Sequence, residues 1–398
     1  MRSRSAPCAL ALLGILAVTA PADAQGLNDV LARLLSNGCA GLGNRSFGPQ
    51  LTAICGMSSG TAADTVPGGG GTAGSAASAG GTGGAATRGE DQRQILRRLR
   101  QRQGAASADT GDAHGWSLFG SADYQTFDKD TTRFETGFER ATVGGTVGVD
   151  YLFRNGLVLG TALSYAHEFG DYAGVGGGFD HDAYGILVYG SVVPFREMFV
   201  DAVAGYTRKD YSFDRRASLS IPATLTVSGT ASGETDGNEF RLGLNTGYDF
   251  HVGRFTVGPR AGLLYRETTI GRFQESGQTG LELAYDGQNI QSLITTAGLY
   301  GSVAITTGFG VIVPQATVEY VHEFLDDQRS VGFSFAQDPS RVRFRFQTDL
   351  PDRDYVNLGA GVAMVLPSGA QPFLNYTELL GDKNRRSHTI TLGLRVSF

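Results

Sequence analysis

The last ten residues, Thr389-Ile390-Thr391-Leu392-Gly393-Leu394-Arg395-Val396-Ser397-Phe398, are apolar at every second position and close on an aromatic. Successive side chains of an extended strand point to opposite faces, so this period makes one face greasy and the other wet. About a dozen segments of the same kind follow one another from Trp116 onward. A soluble sandwich also alternates, but it hides its apolar faces between two sheets. Here so many strands carry charge opposite their apolar face that an ordinary two-sheet core is the less economical solution. A closed sheet with lipid outside and water inside is the simplest object that needs the pattern.

The registers can be written residue by residue. Phe240, Leu242, Leu244, Thr246, Tyr248 and Phe250 share one face, and Glu239, Arg241, Gly243, Asn245, Gly247 and Asp249 the other. The next segment puts Phe255, Val257, Pro259, Ala261, Leu263 and Tyr265 outward, with Thr256, Gly258, Arg260, Gly262 and Arg266 inward. The whole pattern predicts an all-β fold: a twelve-stranded antiparallel transmembrane β-barrel over residues 115–398. The expected strands are 115–127, 140–153, 157–169, 181–193, 198–211, 238–251, 255–267, 289–305, 310–324, 354–366, 370–380 and 386–398. Short connections such as Arg154-Asn155-Gly156 alternate with long ones at 128–139, 170–180, 212–237, 268–288 and 325–353. Short turns on one rim and long loops on the other are the habit of outer-membrane barrels. Some of the long loops are expected to continue as hairpins above the membrane.

Aromatics gather near the strand ends, among them Trp116, Tyr151, Phe153, Tyr165, Tyr248 and Tyr320, where they can anchor at the lipid–water boundary. Inward glycines (Gly144, Gly148, Gly160, Gly243, Gly247, Gly359, Gly361) leave room for a bulky group in the lumen. Inward acids are expected at Asp123, Asp150, Glu168, Asp201, Glu239 and Glu319.

The first 114 residues read differently. Arg2 and Arg4 precede a short apolar core, and Ala22-Asp23-Ala24 offers small residues before Gln25. That is the layout of a secretory signal over residues 1–24, cut after Ala24. Export exposes the remaining cysteines, Cys39 and Cys55, to oxidising conditions, so they read as a disulfide within a small segment, 25–58. Residues 59–89 are a Gly, Ala, Ser and Thr linker with nothing to offset the entropy of ordering. Residues 90–104 then change character: acids come first and Arg93, Arg97, Arg98, Arg100 and Arg102 follow, an order that suits the helix dipole. Only Ile95, Leu96 and Leu99 are apolar, too narrow a stripe for a core helix. Such a rod is either a solvated linker helix or a helix inside the barrel, where the inward acids would compensate its arginines.

Little suggests catalysis. There is no Gly-x-Ser-x-Gly elbow, His-Glu-x-x-His pair or phosphate loop. His167-Glu168 and His322-Glu323 are adjacent on strands, so each pair splits between the two faces and cannot easily share a ligand. A formal charge of −6 gives no argument for nucleic-acid binding. No catalytic residue, metal ligand or cofactor is assigned.

Three stretches carry a resemblance: Pro314-Gln315-Ala316-Thr317-Val318-Glu319-Tyr320-Val321-His322-Glu323-Phe324, Leu358-Gly359-Ala360-Gly361-Val362, and the closing His388 to Phe398. In this order they resemble the autotransporter β-domain of the type V secretion route, over roughly residues 90–398. The resemblance implies a pore-spanning helix and insertion by the barrel assembly machinery, which would read Leu394, Val396 and Phe398. It implies a monomer in the bacterial outer membrane, in contact with its lipids and delivered by the general secretion machinery and periplasmic chaperones. The expected function is to anchor, export and display the chain's own short N-terminal segment. A small porin and an adhesin acting through its outer loops are the alternatives. Some members of that family cut the helix by cyclisation of an asparagine within it; residues 90–103 contain none, so the segment is expected to stay attached.

Overall fold

The computed structural model describes residues 115–398, apart from Arg133, Val175, Arg196 and residues 222–224, 339–340 and 342. The signal sequence, the Cys39–Cys55 pair, the linker and the arginine-bearing helix lie outside the described residues.

Every described element is a strand. The barrel strands begin with β1 (Gly115–Lys129), β2 (Phe138–Leu152), β3 (Val158–Tyr172), β4 (Gly177–Phe195), β5 (Met198–Ile221) and β6 (Leu225–Tyr248). After the short β7 (Phe250–Val252) comes β8 (Phe255–Ile270). Two small strands, β9 (Phe273–Gln274) and β10 (Leu283–Tyr285), precede β11 (Gln288–Val303), β12 (Ile305–Thr307) and β13 (Gly310–Glu323). Two more, β14 (Ser330–Phe335) and β15 (Phe344–Gln347), precede β16 (Asp354–Val365), β17 (Ala370–Leu380) and β18 (Arg385–Ser397).

Neighbours in the main sheet are neighbours in sequence, and all pair antiparallel. The sheet closes on itself where β18 lies along β1, from Ser117 opposite Ser397 to Lys129 opposite Arg385. Trp116 and Phe398 exchange both backbone hydrogen bonds, at 3.1 and 3.0 Å. With β7 and β12 counted as short pieces beside β8 and β13, twelve strands make the wall, as the alternation predicts. Closure leaves this sheet no open edge, which is what a lipid environment demands of backbone polar groups.

Each strand turns its apolar residues outward. Leu163, Val147, Leu299 and Leu392 are each 59% exposed or more, uncovered among the described residues. The expected cost of Leu163→Arg on this face is roughly 2–4 kcal/mol if it lies near the bilayer midplane. Urea unfolding of the barrel in lipid vesicles measures it.

Aromatics mark both rims. Trp116, Tyr151 and Phe153 pack edge to face at 5.0 and 4.8 Å beside the Arg154–Gly156 turn. That turn forms because Gly156 accepts a φ of 80° and the Asn155 side chain accepts a hydrogen bond from the Leu157 amide. Towards the other rim, outward tyrosines aim their hydroxyls at polar groups. Tyr165 reaches Asp182 at 2.6 Å, Tyr206 reaches Asn238 at 2.6 Å, Tyr265 reaches Glu267 at 3.2 Å, and Tyr376 pairs with His388 at 2.9 Å. Tyr320 bonds Asp354 in the same manner. Each partner lies one step along the strand, two residues farther from the Trp116 end, so the hydroxyls share one height. Amphipathic rings with an apolar body and a wet tip suit a membrane boundary.

β5 and β6 run well past that boundary, at 24 residues each against the roughly 9–11 needed to cross. Their projecting outer face is polar (Arg208, Asp210, Asp214, Glu234, Asp236). The expected loop at 212–237 is thus largely a hairpin, as anticipated for some of the long connections.

Candidate functional site: the lumen and its outer mouth

Strand parity delivers the inward side chains. Asp150, Glu168, Asp201 and Glu239 are buried inside the barrel, and Asp123 and Glu319 are half-buried on the same face. All six acids therefore sit where the alternation puts them.

The structure also gives four of them partners within the wall. Arg395 approaches Asp150 with both bonds, at 2.7 and 2.8 Å, and Tyr189 donates to the same carboxylate at 3.2 Å. Arg140 donates to Glu168 at 2.8 Å, with His181 at 3.4 Å. Lys209 reaches Glu239 at 2.5 Å, beside Arg241 at 3.6 Å. Ser191 donates to Asp201 at 2.6 Å. Arg140, Lys209 and Arg395 on the wall itself, beside the expected Arg93, Arg97, Arg98, Arg100 and Arg102 of the N-terminal helix, are counterions that the alternation alone does not single out. The inward placement of Arg395 was legible, since it stands between outward Leu394 and Val396.

Three of the inward glycines make room for their own neighbours on the wall. A Cβ at Gly148 would collide with the Phe119 ring, one at Gly160 with the Tyr189 ring, and one at Gly247 with the Phe199 ring. At these positions the bulky group is a wall side chain from a neighbouring strand. The two histidine–glutamate pairs split between faces: Glu168 and Glu323 are buried inside, while His167 and His322 bond Asp182 at 3.1 Å and Asp354 at 2.7 Å on the outside. Among the described residues no group of three His, Cys, Asp or Glu side chains is placed to hold a metal ion.

Lys209 and Glu239 are fully enclosed. Lys209→Met would leave a carboxylate buried without its lysine, at an expected cost of about 3–5 kcal/mol. Denaturant unfolding of the reconstituted protein reads that loss.

The outer mouth carries its own structure. β9 and β10 from one long connection and β14 and β15 from another join in a four-stranded sheet, in the order β15-β14-β10-β9. This roof packs on the inward face of the projecting β5–β6 hairpin. Phe213 stacks on Phe273 at 5.5 Å, Phe273 on Tyr285 at 4.6 Å, and Tyr285 meets Phe333 at 6.5 Å. Under the rings, Arg215 holds Glu275 with two bonds at 2.8 and 2.6 Å and also donates to the Leu281 carbonyl. Burial works against the Arg215 charge, but the Glu275 hydrogen bonds outweigh it and hold the guanidinium above its ordinary pKa. Burial and the Glu275 carboxylate push the Tyr285 hydroxyl well up. On the other side, Lys129 lies 2.9 Å from Glu135 and 2.6 Å from Asp349, tying the β1–β2 connection to the one after β15. Burial raises the Glu135 carboxyl despite the lysine.

Against known proteins, the family model described as the autotransporter beta-domain matches residues 103–377. The chain belongs to that family. The matched stretch ends within β17, and the wall continues through β18. The chain is 28% identical over 198 residues to outer membrane protein A of Rickettsia conorii and, equally, to its namesake in Rickettsia rickettsii. Those alignments take in 46% of this chain but only 10% and 8% of the relatives, so the chain spans a small part of their length. The translocator domain of the autotransporter NalP from Neisseria meningitidis superposes with a TM-score of 0.57 at 15% identity, covering 79% of this chain and 98% of that one. The barrel described here is thus an outer-membrane autotransporter domain of the type V route. It is a transport barrel and not a catalytic domain.

Proposed function

We propose that this autotransporter carries its own short N-terminal segment, residues 25–58, to the cell surface and keeps it there. One observation supports this most: β1 begins and β18 ends at the same rim, opposite the roof. A chain entering at that rim reaches the other side of the membrane only through the lumen. Residues 90–104 would run inside the barrel as a helix, with the arginines facing the polar inward side of the wall. Residues 59–89 would emerge as the tether.

Delivery would use the general secretion machinery, periplasmic chaperones and the barrel assembly machinery. For the last, Leu394 on the outer face of β18 and Phe398 just past its end offer exposed apolar side chains, with Val396 half-buried between them. The protein would work as a monomer.

Conductance tests the lumen helix. In a planar bilayer the full chain is expected to pass little current, and Arg97→Glu/Arg98→Glu is expected to open it by setting like charges against the wall acids. An unchanged current in the double variant removes the helix from the pore.

A further inference from the structure

Barrel closure has a register problem. A one-residue slip between β1 and β18 would turn every side chain to the wrong face, and lipid would reject it. A two-residue slip keeps every apolar residue outward, so the lipid face cannot detect it. Something inside the barrel must.

We infer that Arg395 is the residue that fixes the register of the closing seam. It stands on the inward face of the last strand, opposite Phe119 of β1, yet its guanidinium grips Asp150 on β2, one strand farther on. It crosses near Ser117, the small residue directly opposite Asp150. Tyr189 of β4 holds the same carboxylate. Asp150 is therefore presented by a wall of β2, β3 and β4 that is built from local hairpins, before the two chain ends must meet. Loop closure over the 245 positions separating the two partners comes last. A two-residue slip would move the guanidinium along the strand by roughly 6.6 Å, out of reach of both carboxylate oxygens. The ladder alone is indifferent to that slip; this contact is not.

Disulfide trapping tests it in the full chain, with Cys8, Cys39 and Cys55 replaced by serine. Ser117 and Ser397 face each other with their hydroxyls 2.9 Å apart, so Ser117→Cys/Ser397→Cys reports the native seam. Ser121→Cys/Thr391→Cys and Gln125→Cys/Thr391→Cys report the two slipped seams. Each is refolded from urea into dilauroylphosphatidylcholine vesicles and oxidised as the barrel forms. With Arg395 in place, the native cross-link dominates. In Arg395→Ala the slipped cross-links are expected to rise about tenfold, and the swap Arg395→Asp/Asp150→Arg to bring the native one back. Lys209→Met, which breaks an equally buried pair away from the seam, is expected to lower stability without raising the slipped products. Native register retained in Arg395→Ala overturns the assignment, as does an equal slip in Lys209→Met or a swap that does not rescue. Should Arg395→Ala fail to insert, the milder Asp150→Asn is read with the same reporters, and an unslipped seam there is equally fatal. None of these readings depends on what the N-terminal segment does.

Discussion

A protease recognition sequence inserted after Ser59 is expected to be cut on intact cells, essentially to completion, with the barrel fragment left in the membrane. The reason is topological. The rim where β1 begins is the rim where β18 ends, and the long connections, the β5–β6 hairpin and the roof all lie at the other. If the segment before β1 is displayed, it has come through the lumen and stands on the roof side. A porin with a periplasmic tether gives the opposite result, because the inserted site stays protected until the outer membrane is broken. The same insertion placed in the Arg154–Gly156 turn serves as the protected control. Equal protection of both insertions rules out surface display.

The second large effect is expected in the roof. Arg215→Ala removes a guanidinium that satisfies Glu275 bidentately and supports the Leu281 carbonyl, all under a layer of aromatic rings. A buried carboxylate stripped of its partner costs about 3–5 kcal/mol. A small sheet of four short strands has little with which to absorb that loss. The roof is therefore expected to open locally while the barrel stays intact. On whole cells trypsin should then cut at the exposed Arg341, Arg343 and Arg345, and the membrane-embedded part should still migrate as a folded barrel on unheated gels. Resistance of those arginines in the variant would show that the aromatic packing alone holds the roof.

The sequence carried most of the barrel because lipid and a polar lumen impose a strict two-residue period. Strands expected at 310–324, 354–366 and 370–380 appear as Gly310–Glu323, Asp354–Val365 and Ala370–Leu380. Once a register is known, each inward acid follows from it. What the pattern could not carry is which inward groups touch. Asp150 and Arg395 are far apart in sequence, and only the circular order of strands brings them together. The inward glycines show the same limit: their spacing reveals that room is made but not for whom, and Gly148 and Gly160 make it for Phe119 and Tyr189. The roof was hidden for another reason. Its strands, such as Phe273–Gln274 and Leu283–Tyr285, are too short to show a period, and their apolar residues pack on other loops away from lipid.

The shared sheet over the mouth also keeps time. Its halves come from two different connections, residues 273–285 and 330–347, separated by the two wall strands β11 and β13. Neither half can zip onto the other until both have crossed to the outside, so a closed roof signals that both connections and the wall strands between them have arrived.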